Sequence, residues 1–313
     1  MAENDHSIGA GAPGEAERKC GFVALIGAPN AGKSTLVNQA VGAKVSIVTH
    51  KVQTTRTIIR GVVLQDEAQI VFVDTPGIFA PKRRLDRAMV DTAWSGARDA
   101  DLVCVLLDSK KGIDAESENI LQRTAGLPHN KILLLNKIDT VARETLLELT
   151  ASANAIVPFS ETFMISALNG NGVDDLLRHL ASVVPIGPWL YPEDQISDLP
   201  MRNLAAEVTR EKLYLRLHDE LPYRSTVETT QWKDLKDGSV RIEQTIFVER
   251  DSQKKIVIGK NGQAIKAVSS TARAEIADMI DRPVHLFLFV KVRSSWADDP
   301  ERYREMGLDF PTG

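Results

Sequence analysis

The chain has 313 residues, 43% of them hydrophobic and 26% charged, with a formal net charge of -4. That length exceeds the usual single-domain range, and the composition excludes the disordered, collagen-like and membrane-spanning classes, since no run of about 18 apolar residues occurs. Residues 1–18 are rich in Gly, Ala and Glu and lack the basic-then-apolar order of a secretory signal, so a disordered tail is expected there. Next, short Val/Ile/Leu runs at 22–26, 57–64, 70–73, 102–107, 132–135 and 163–165 alternate with helical patterns that open at Lys33, Leu85, Ala115, Ala142 and Val173. Several runs are apolar throughout, as in strands buried on both faces of a mostly parallel sheet. The expectation for 19–184 is a doubly wound α/β domain, in which ligands bind beyond the carboxyl ends of the strands.

Four prolines (Pro185, Pro188, Pro192 and Pro200) make 185–200 a semi-extended linker. Beyond it, 201–313 reads as a helix over 202–218, strands over 224–230 and 240–249, a helical region over 259–280 and a last strand over 284–292, which gives the order α, β, β, α, α, β. On the first of these helices Leu204, Ala205, Val208, Leu213, Leu215 and Leu217 are assigned to the core. His285 is expected to pack within its strand. The two cysteines, Cys20 and Cys104, form no metal cluster with histidines, and Cys104 falls in an apolar run. A reduced core thiol and a cytoplasmic, reducing compartment follow.

Gly27-Ala28-Pro29-Asn30-Ala31-Gly32-Lys33-Ser34, with Thr35 next, follows a strand and opens a helix. Glycines let the backbone approach phosphates closely while amide N–H groups and the helix dipole face them. Lys33 reaches the β- and γ-phosphates in such a loop, and Ser34 ligates Mg2+. Asp74-Thr75-Pro76-Gly77 ends another apolar strand, where Asp74 can hold the Mg2+ shell through water and the Gly77 amide can meet the γ-phosphate. Asn136-Lys137-Ile138-Asp139 ends a third. A carboxylate at Asp139 accepts from guanine N1–H and N2–H2, a pattern adenine lacks, while Lys137 covers the ring. Ser166-Ala167-Leu168 can offer an amide to guanine O6. Between these lies Gln53-Thr54-Thr55-Arg56, a switch-like polar stretch in which Thr55, with Thr54 second, is the candidate hydroxyl ligand for Mg2+. Arg56 is taken as a solvated switch residue. Lys33, Thr55 and Gly77 are the candidate catalytic set for GTP hydrolysis.

The order of these motifs resembles the translation-factor-like GTPases, and the Gly-Ala-Pro-Asn form with Gln-Thr-Thr-Arg resembles the branch that holds Era, EngA and MnmE. In that branch the loop asparagine, here Asn30, helps hold a monovalent cation, so K+-stimulated hydrolysis is implied. Ile78 stands where Ras-like proteins carry a water-orienting glutamine, which implies slow intrinsic turnover.

In the second domain Gly259-Lys260-Asn261-Gly262 sits after Ile258 and among Lys254, Lys255 and Lys266. Residues 250–293 hold nine Lys/Arg against four Asp/Glu, a local balance of +5 in an acidic chain. Such a Gly-x-x-Gly corner lays a nucleic-acid backbone against exposed amides, and with the element order it resembles a type II KH domain. Glu220-Leu221-Pro222-Tyr223, Val248-Glu249-Arg250 with Gln253-Lys254-Lys255, Pro283-Val284-His285-Leu286 and Trp296-Ala297-Asp298-Asp299 extend the likeness over residues 20–308 to the Era family. That resemblance implies a GTPase that binds 16S ribosomal RNA near its 3′ end through the KH domain and switches in assembly of the small ribosomal subunit. It also implies a monomer with peripheral association at the cytoplasmic face of a membrane. A P-loop metabolic kinase is the rival reading, but it gives Asn136 to Asp139 no role; intact Lys33, Ser34 and Asp74 speak against an inert RNA-binding module.

Overall fold

The structure, a computed structural model, describes residues 17–218, 221–294 and 296–311; the expected tail over 1–18 lies almost entirely outside them. The first domain runs β1 (Lys19–Ile26), α1 (Lys33–Val41), β2 (Ile59–Gln65), β3 (Ala68–Asp74), α2 (Arg84–Arg98), β4 (Leu102–Asp108), α3 (Ala115–Ala125), β5 (Asn130–Asn136), α4 (Arg143–Ile156), β6 (Glu161–Ile165) and α5 (Val173–Val183). Its sheet has the order β2-β3-β1-β4-β5-β6, parallel except where β2 pairs antiparallel with β3. Successive residues of β1 go to opposite cores: Val23 and Leu25 pack with Leu36 and Leu176 on one face, Ala24 and Ile26 with Ala93 and Leu121 on the other. Burial on both faces is why the strands read as unbroken apolar runs. The chain leaves β1 in opposite directions along the sheet, toward β3 and toward β4. A crevice therefore opens at the carboxyl end of β1, where the phosphate-loop sequence stands.

The segment over 185–200 carries no helix but is less independent than a linker. Cys20 N–H donates to the Pro185 carbonyl at 3.0 Å and Val62 N–H to the Ile196 carbonyl at 2.9 Å, so the strap runs from the amino end of the interior strand β1 to the edge strand β2. Gln69, fully buried in β3, accepts from the amides of Leu190 and Tyr191 at 2.8 and 3.0 Å and fixes the middle of the strap.

The second domain comprises α6 (Met201–Arg216), β7 (Ser225–Asp234), β8 (Val240–Val248), α7 (Asp251–Ile258), α8 (Gln263–Ile280) and β9 (Val284–Val292), followed by α9 (Pro300–Glu305). Its sheet is β7-β8-β9, antiparallel then parallel. One face packs on α6 and α8 through Val208, Ile242, Ala272, Ile276 and Leu286. Three expectations need correction here. The helical region opens at Asp251 rather than Gly259, because Gln253 Oε1 accepts from the amides of Glu249 and Arg250 and starts a short helix ahead of the glycine corner. His285 is exposed: β9 alternates, burying Val284 and Leu286 and turning His285, Phe287 and Phe289 outward. Leu215 is 49% exposed on the solvent side of α6, between the buried Leu213 and Leu217.

The two domains also share a core of their own. Leu85 and Met89 of α2 pack with Trp296, Tyr303 and Leu308 of the C-terminal segment.

Candidate functional site

The phosphate-loop residues join β1 to α1 as a tight turn. Asn30 is left-handed at φ 64°, and Gly32 at φ 105°. A Cβ on Gly32 would meet Asn136 Nδ2 at 2.1 Å, so both its conformation and its close neighbour require glycine. Asn136, 2% exposed, is the tie that organises the site. It donates from Nδ2 to the Ala31 carbonyl at 2.8 Å and accepts the Ala167 amide at Oδ1 at 2.9 Å. One side chain at the end of β5 thus joins the phosphate loop to the loop after β6. Ser166 and Ala167 are buried and Leu168 is 75% exposed beside them. Lys137 is left-handed and its ammonium reaches Asp108 Oδ2 at 2.6 Å, which holds its stem across the site. Asp139 is exposed on a 3₁₀ turn, Ile138–Thr140, rather than buried as a helix cap.

Lys33 is buried, and its ammonium donates to the carbonyls of Gly27 and Ala28 at 3.0 and 3.1 Å. Burial lowers its pKa to about 8, with Asp74 opposing the shift. The next residue, Ser34, donates from Oγ to Asp74 Oδ2 at 2.7 Å and stands 2.9 Å from Thr55 Oγ1. Ser46 Oγ adds a second donor to the same carboxylate oxygen at 2.9 Å. The other oxygen, Asp74 Oδ1, is buried with no hydrogen-bond partner among the described residues, and burial raises the pKa of this carboxyl group. Two hydroxyls and a carboxylate with a spare buried oxygen are hard donors of the kind Mg2+ takes. They fit that ion through Ser34, Thr55 and Asp74. Thr54 faces elsewhere: its hydroxyl meets Thr49 Oγ1 and the Lys51 carbonyl, each at 2.6 Å.

Thr75 Oγ1 donates to the Leu25 carbonyl at 2.7 Å and Pro76 is buried, so the chain after β3 is held against β1. Ile78 donates its amide to the Gly27 carbonyl at 3.1 Å while its side chain lies in the core, 4% exposed. No polar group at that position faces the cavity. That cavity, of about 320 Å³, is lined by Lys33, Ser34, Thr55, Gly77 and Lys137 and roofed by residues 47–54.

The roof is clasped by the second domain. Glu211 of α6, 4% exposed, accepts the Val48 amide at 2.9 Å and pairs with Lys44 at 2.7 Å. Gln53 donates to Asp86 Oδ1 at 2.8 Å. Arg56 overturns the expectation of a solvated side chain. It is 2% exposed and donates to Ser225 O, Tyr214 Oη and Pro222 O at 2.9, 2.5 and 3.3 Å. It anchors the domains to each other because its carbonyl partners lie in the loop that opens β7. Sequence reasoning missed Ser46, Asp108, Glu211 and the tying role of Asn136; only Asp108, a carboxylate at the carboxyl end of a buried strand like Asp74, carried a visible signal.

At the corner between α7 and α8, Gly259 has φ 74° and ψ 173°, and a Cβ there would meet Ala264 Cβ at 2.6 Å. The two helices meet closely only through glycine. Gly262 and Asn261 are also left-handed. Lys255, Lys260, Asn261 and Lys266 are exposed, while Lys254 and Ile258 are half-buried. Among the described residues no group of three or more His, Cys, Asp or Glu forms a metal site, and no helix is long and apolar enough to cross a membrane.

Residues 22–137 match the family described as 50S ribosome-binding GTPase and residues 220–297 match the KH domain. The chain is 67% identical over 296 residues to GTPase Era of Bradyrhizobium sp. strain BTAi1, covering 95% of this chain and 96% of that protein. It is 62% identical over 313 residues to GTPase Era of Agrobacterium fabrum, covering 100% and 99%. Among solved structures it superposes with a TM-score of 0.87 and 38% identity on Era in complex with MgGDPNP and nucleotides 1506–1542 of 16S ribosomal RNA, over 93% of this chain and 99% of that one. An Aquifex aeolicus Era variant bound to GDP·AlF4− gives the same TM-score and identity over 92% and 99%.

Proposed function

We propose that this chain, which belongs to the Era family of GTPases, binds 16S ribosomal RNA near its 3′ end and serves as a nucleotide-dependent switch in assembly of the small ribosomal subunit. It is a GTP hydrolase. The observation that carries the RNA reading is the Gly259 to Gly262 corner, left-handed at both glycines and edged by the exposed Lys255, Lys260 and Lys266. A single-stranded backbone can lie against that corner, with lysines to meet its phosphates. Lys254 and Ile258 complete the proposed RNA surface from α7. The solved Era complex with nucleotides 1506–1542 supports the same RNA segment for this chain.

In the nucleotide site the residues of the phosphate loop, Asp74 to Gly77, Asn136, Lys137, Asp139 and Ser166 to Leu168 are proposed to hold Mg·GTP. Hydrolysis draws on Lys33 and Gly77 at the γ-phosphate and on Thr55 at the metal, with Mg2+ supplying charge neutralisation when bound. Residues 53–56 join the nucleotide cavity to the second domain, which is how nucleotide state reaches the RNA surface in this reading. The protein is placed in the cytoplasm, as a monomer docked on the small subunit.

The test is binding of the GTP-loaded protein to an RNA of the 16S 3′ segment, measured across salt concentrations. Gly262→Asp places a carboxylate on the corner and is expected to weaken binding at least tenfold, on the order of 1.4 kcal/mol, with GTP binding unchanged. Equal RNA affinity in the variant and the parent overturns the assignment.

A further inference from the structure

We infer that the cleft between the two domains is a binding site for a small, multiply charged oxyanion of the phosphate class. The cleft encloses about 570 Å³ and is bounded by the stretch from Arg56 to Ile58, α6, β7 and the C-terminal segment. That volume lies within the range of small-molecule sites.

Its inner wall carries two arginines, Arg56 and Arg210, 2% and 1% exposed. Their guanidinium carbons stand 5.6 and 5.0 Å from the centroid of the same Tyr214 ring, so two buried like charges gather around one aromatic side chain. Arg56 commits Nη1 and Nη2 to Ser225, Tyr214 and Pro222. Arg210 commits Nε and Nη2 to Glu207, and Nη2 also to the Thr54 carbonyl. Arg56 Nε, Arg210 Nη1 and the Thr57 hydroxyl are left buried with no hydrogen-bond partner among the described residues, as is one acceptor of the cleft, Glu228 Oε1. All four residues line this one cleft. Buried donors of native proteins are almost always satisfied, and three unpartnered donors against one unpartnered acceptor on the residues of a single cavity mark a place where a further acceptor belongs.

Charge points the same way. Five arginines line the cleft against three carboxylates, a surplus of two positive charges. Two of the carboxylates already have a cation, Asp198 in Arg60 and Glu207 in Arg210; the third, Glu228, lies against Arg302 with its Oε1 lacking a hydrogen-bond partner. An acceptor here therefore gains most by being an anion, and the forked donors of arginine match a tetrahedral oxyanion. The ligand is a free small anion rather than a polynucleotide, because Arg56 and Arg210, 2% and 1% exposed, are too enclosed for a continuous backbone to reach.

The site stands next to the nucleotide cavity without joining it. Thr54 gives its carbonyl to Arg210, and the neighbouring Thr55 faces Ser34. An anion held between Arg56 and Arg210 would brace the roof of the nucleotide cavity from behind and bind both domains at once.

The test loads the protein with Mg2+ and a non-hydrolysable GTP analogue, which fills the phosphate loop, and titrates inorganic phosphate calorimetrically at constant ionic strength. Saturable binding of one phosphate is expected, weakened by roughly tenfold or more in Arg210→Gln. Thr57→Val, which keeps both charges and serves where Arg210→Gln does not fold, is expected to weaken it several-fold. Crystals of the same complex soaked in selenate should show an anomalous peak between Arg56 and Arg210. Absence of saturable binding, equal phosphate affinity in parent and variants, or selenate found only elsewhere each overturns the inference.

Discussion

A guanine base offers two adjacent N–H donors, and Asp139 stands exposed two residues beyond a lysine whose stem is pinned by Asp108. Asp139→Asn exchanges one acceptor for a donor, so it should lower GTP affinity by tenfold or more, about 1.4 kcal/mol at least, and create binding of xanthosine triphosphate, whose ring carries a carbonyl at that edge. Competition binding with both nucleotides decides it; an unchanged preference for GTP removes Asp139 from base reading. Asn30 gives a second prediction. Its Nδ2 donates to the His50 carbonyl at 2.8 Å, which turns the amide oxygen away from His50 and makes it a candidate K+ ligand. Turnover should be several-fold faster in K+ than in Na+, and Asn30→Ala should level the two; equal parent rates in the two salts would count against a cation role. These residues were legible because each belongs to a short stretch whose local backbone already does the work. Ser46 and Glu211 were not, since they act on Asp74 and Val48 across 28 and 163 positions of chain. Arg56 was misread for the same reason: its partners come from 158 to 169 residues away, and nothing beside it in sequence tells of burial.

Elements announce themselves when a single physical constraint acts along their whole length. β4, buried at all seven positions, shows as an apolar run unbroken up to Asp108 at its end, and so does most of β3 up to Asp74. β2 is harder to bound: its expected start at Thr57 falls instead at Ile59, because residues 57–58 line the interdomain cleft before the ladder with β3 begins. α7 is only eight residues long with Val257 as its one buried position, too little for a helical period to emerge. Proline content over 185–200 correctly excluded a helix, yet the strap's tie to Gln69 depended on a polar side chain inside an apolar strand. A buried glutamine in a strand is the signal that was there to be used, since such a group must find partners. The exposed side of β9, with Phe287 42% and Phe289 47% exposed, was hidden by the strand's apolar appearance; alternation is lost when the outward residues are themselves aromatic.

At the scale of the whole molecule the domains are joined by two unlike seams. One is polar, where Glu211, Lys44 and Arg56 fasten the roof of the nucleotide cavity to the second domain. The other is apolar, where Trp296, fully buried, packs against Leu85 and Met89 of α2 and donates from Nε1 to the Arg224 carbonyl at 3.2 Å. Two domains with separate cores unfold together only if their shared interface contributes enough to couple them. The apolar seam should carry most of that coupling, because burying a tryptophan removes a large apolar surface from water, whereas the buried charges of the polar seam, Arg56 and Glu211, lose hydration that offsets what their pairing returns. Truncating it by Trp296→Ala removes about 3–5 kcal/mol of packing. Calorimetry of the parent should then show one cooperative transition, whereas the variant should show two, with the second domain and its C-terminal segment melting below the first. Addition of Mg·GTP should raise only the higher transition in the variant, since the ligand binds the first domain alone once the seam is open. A single transition in the variant, merely lowered, would assign the coupling to the polar seam instead.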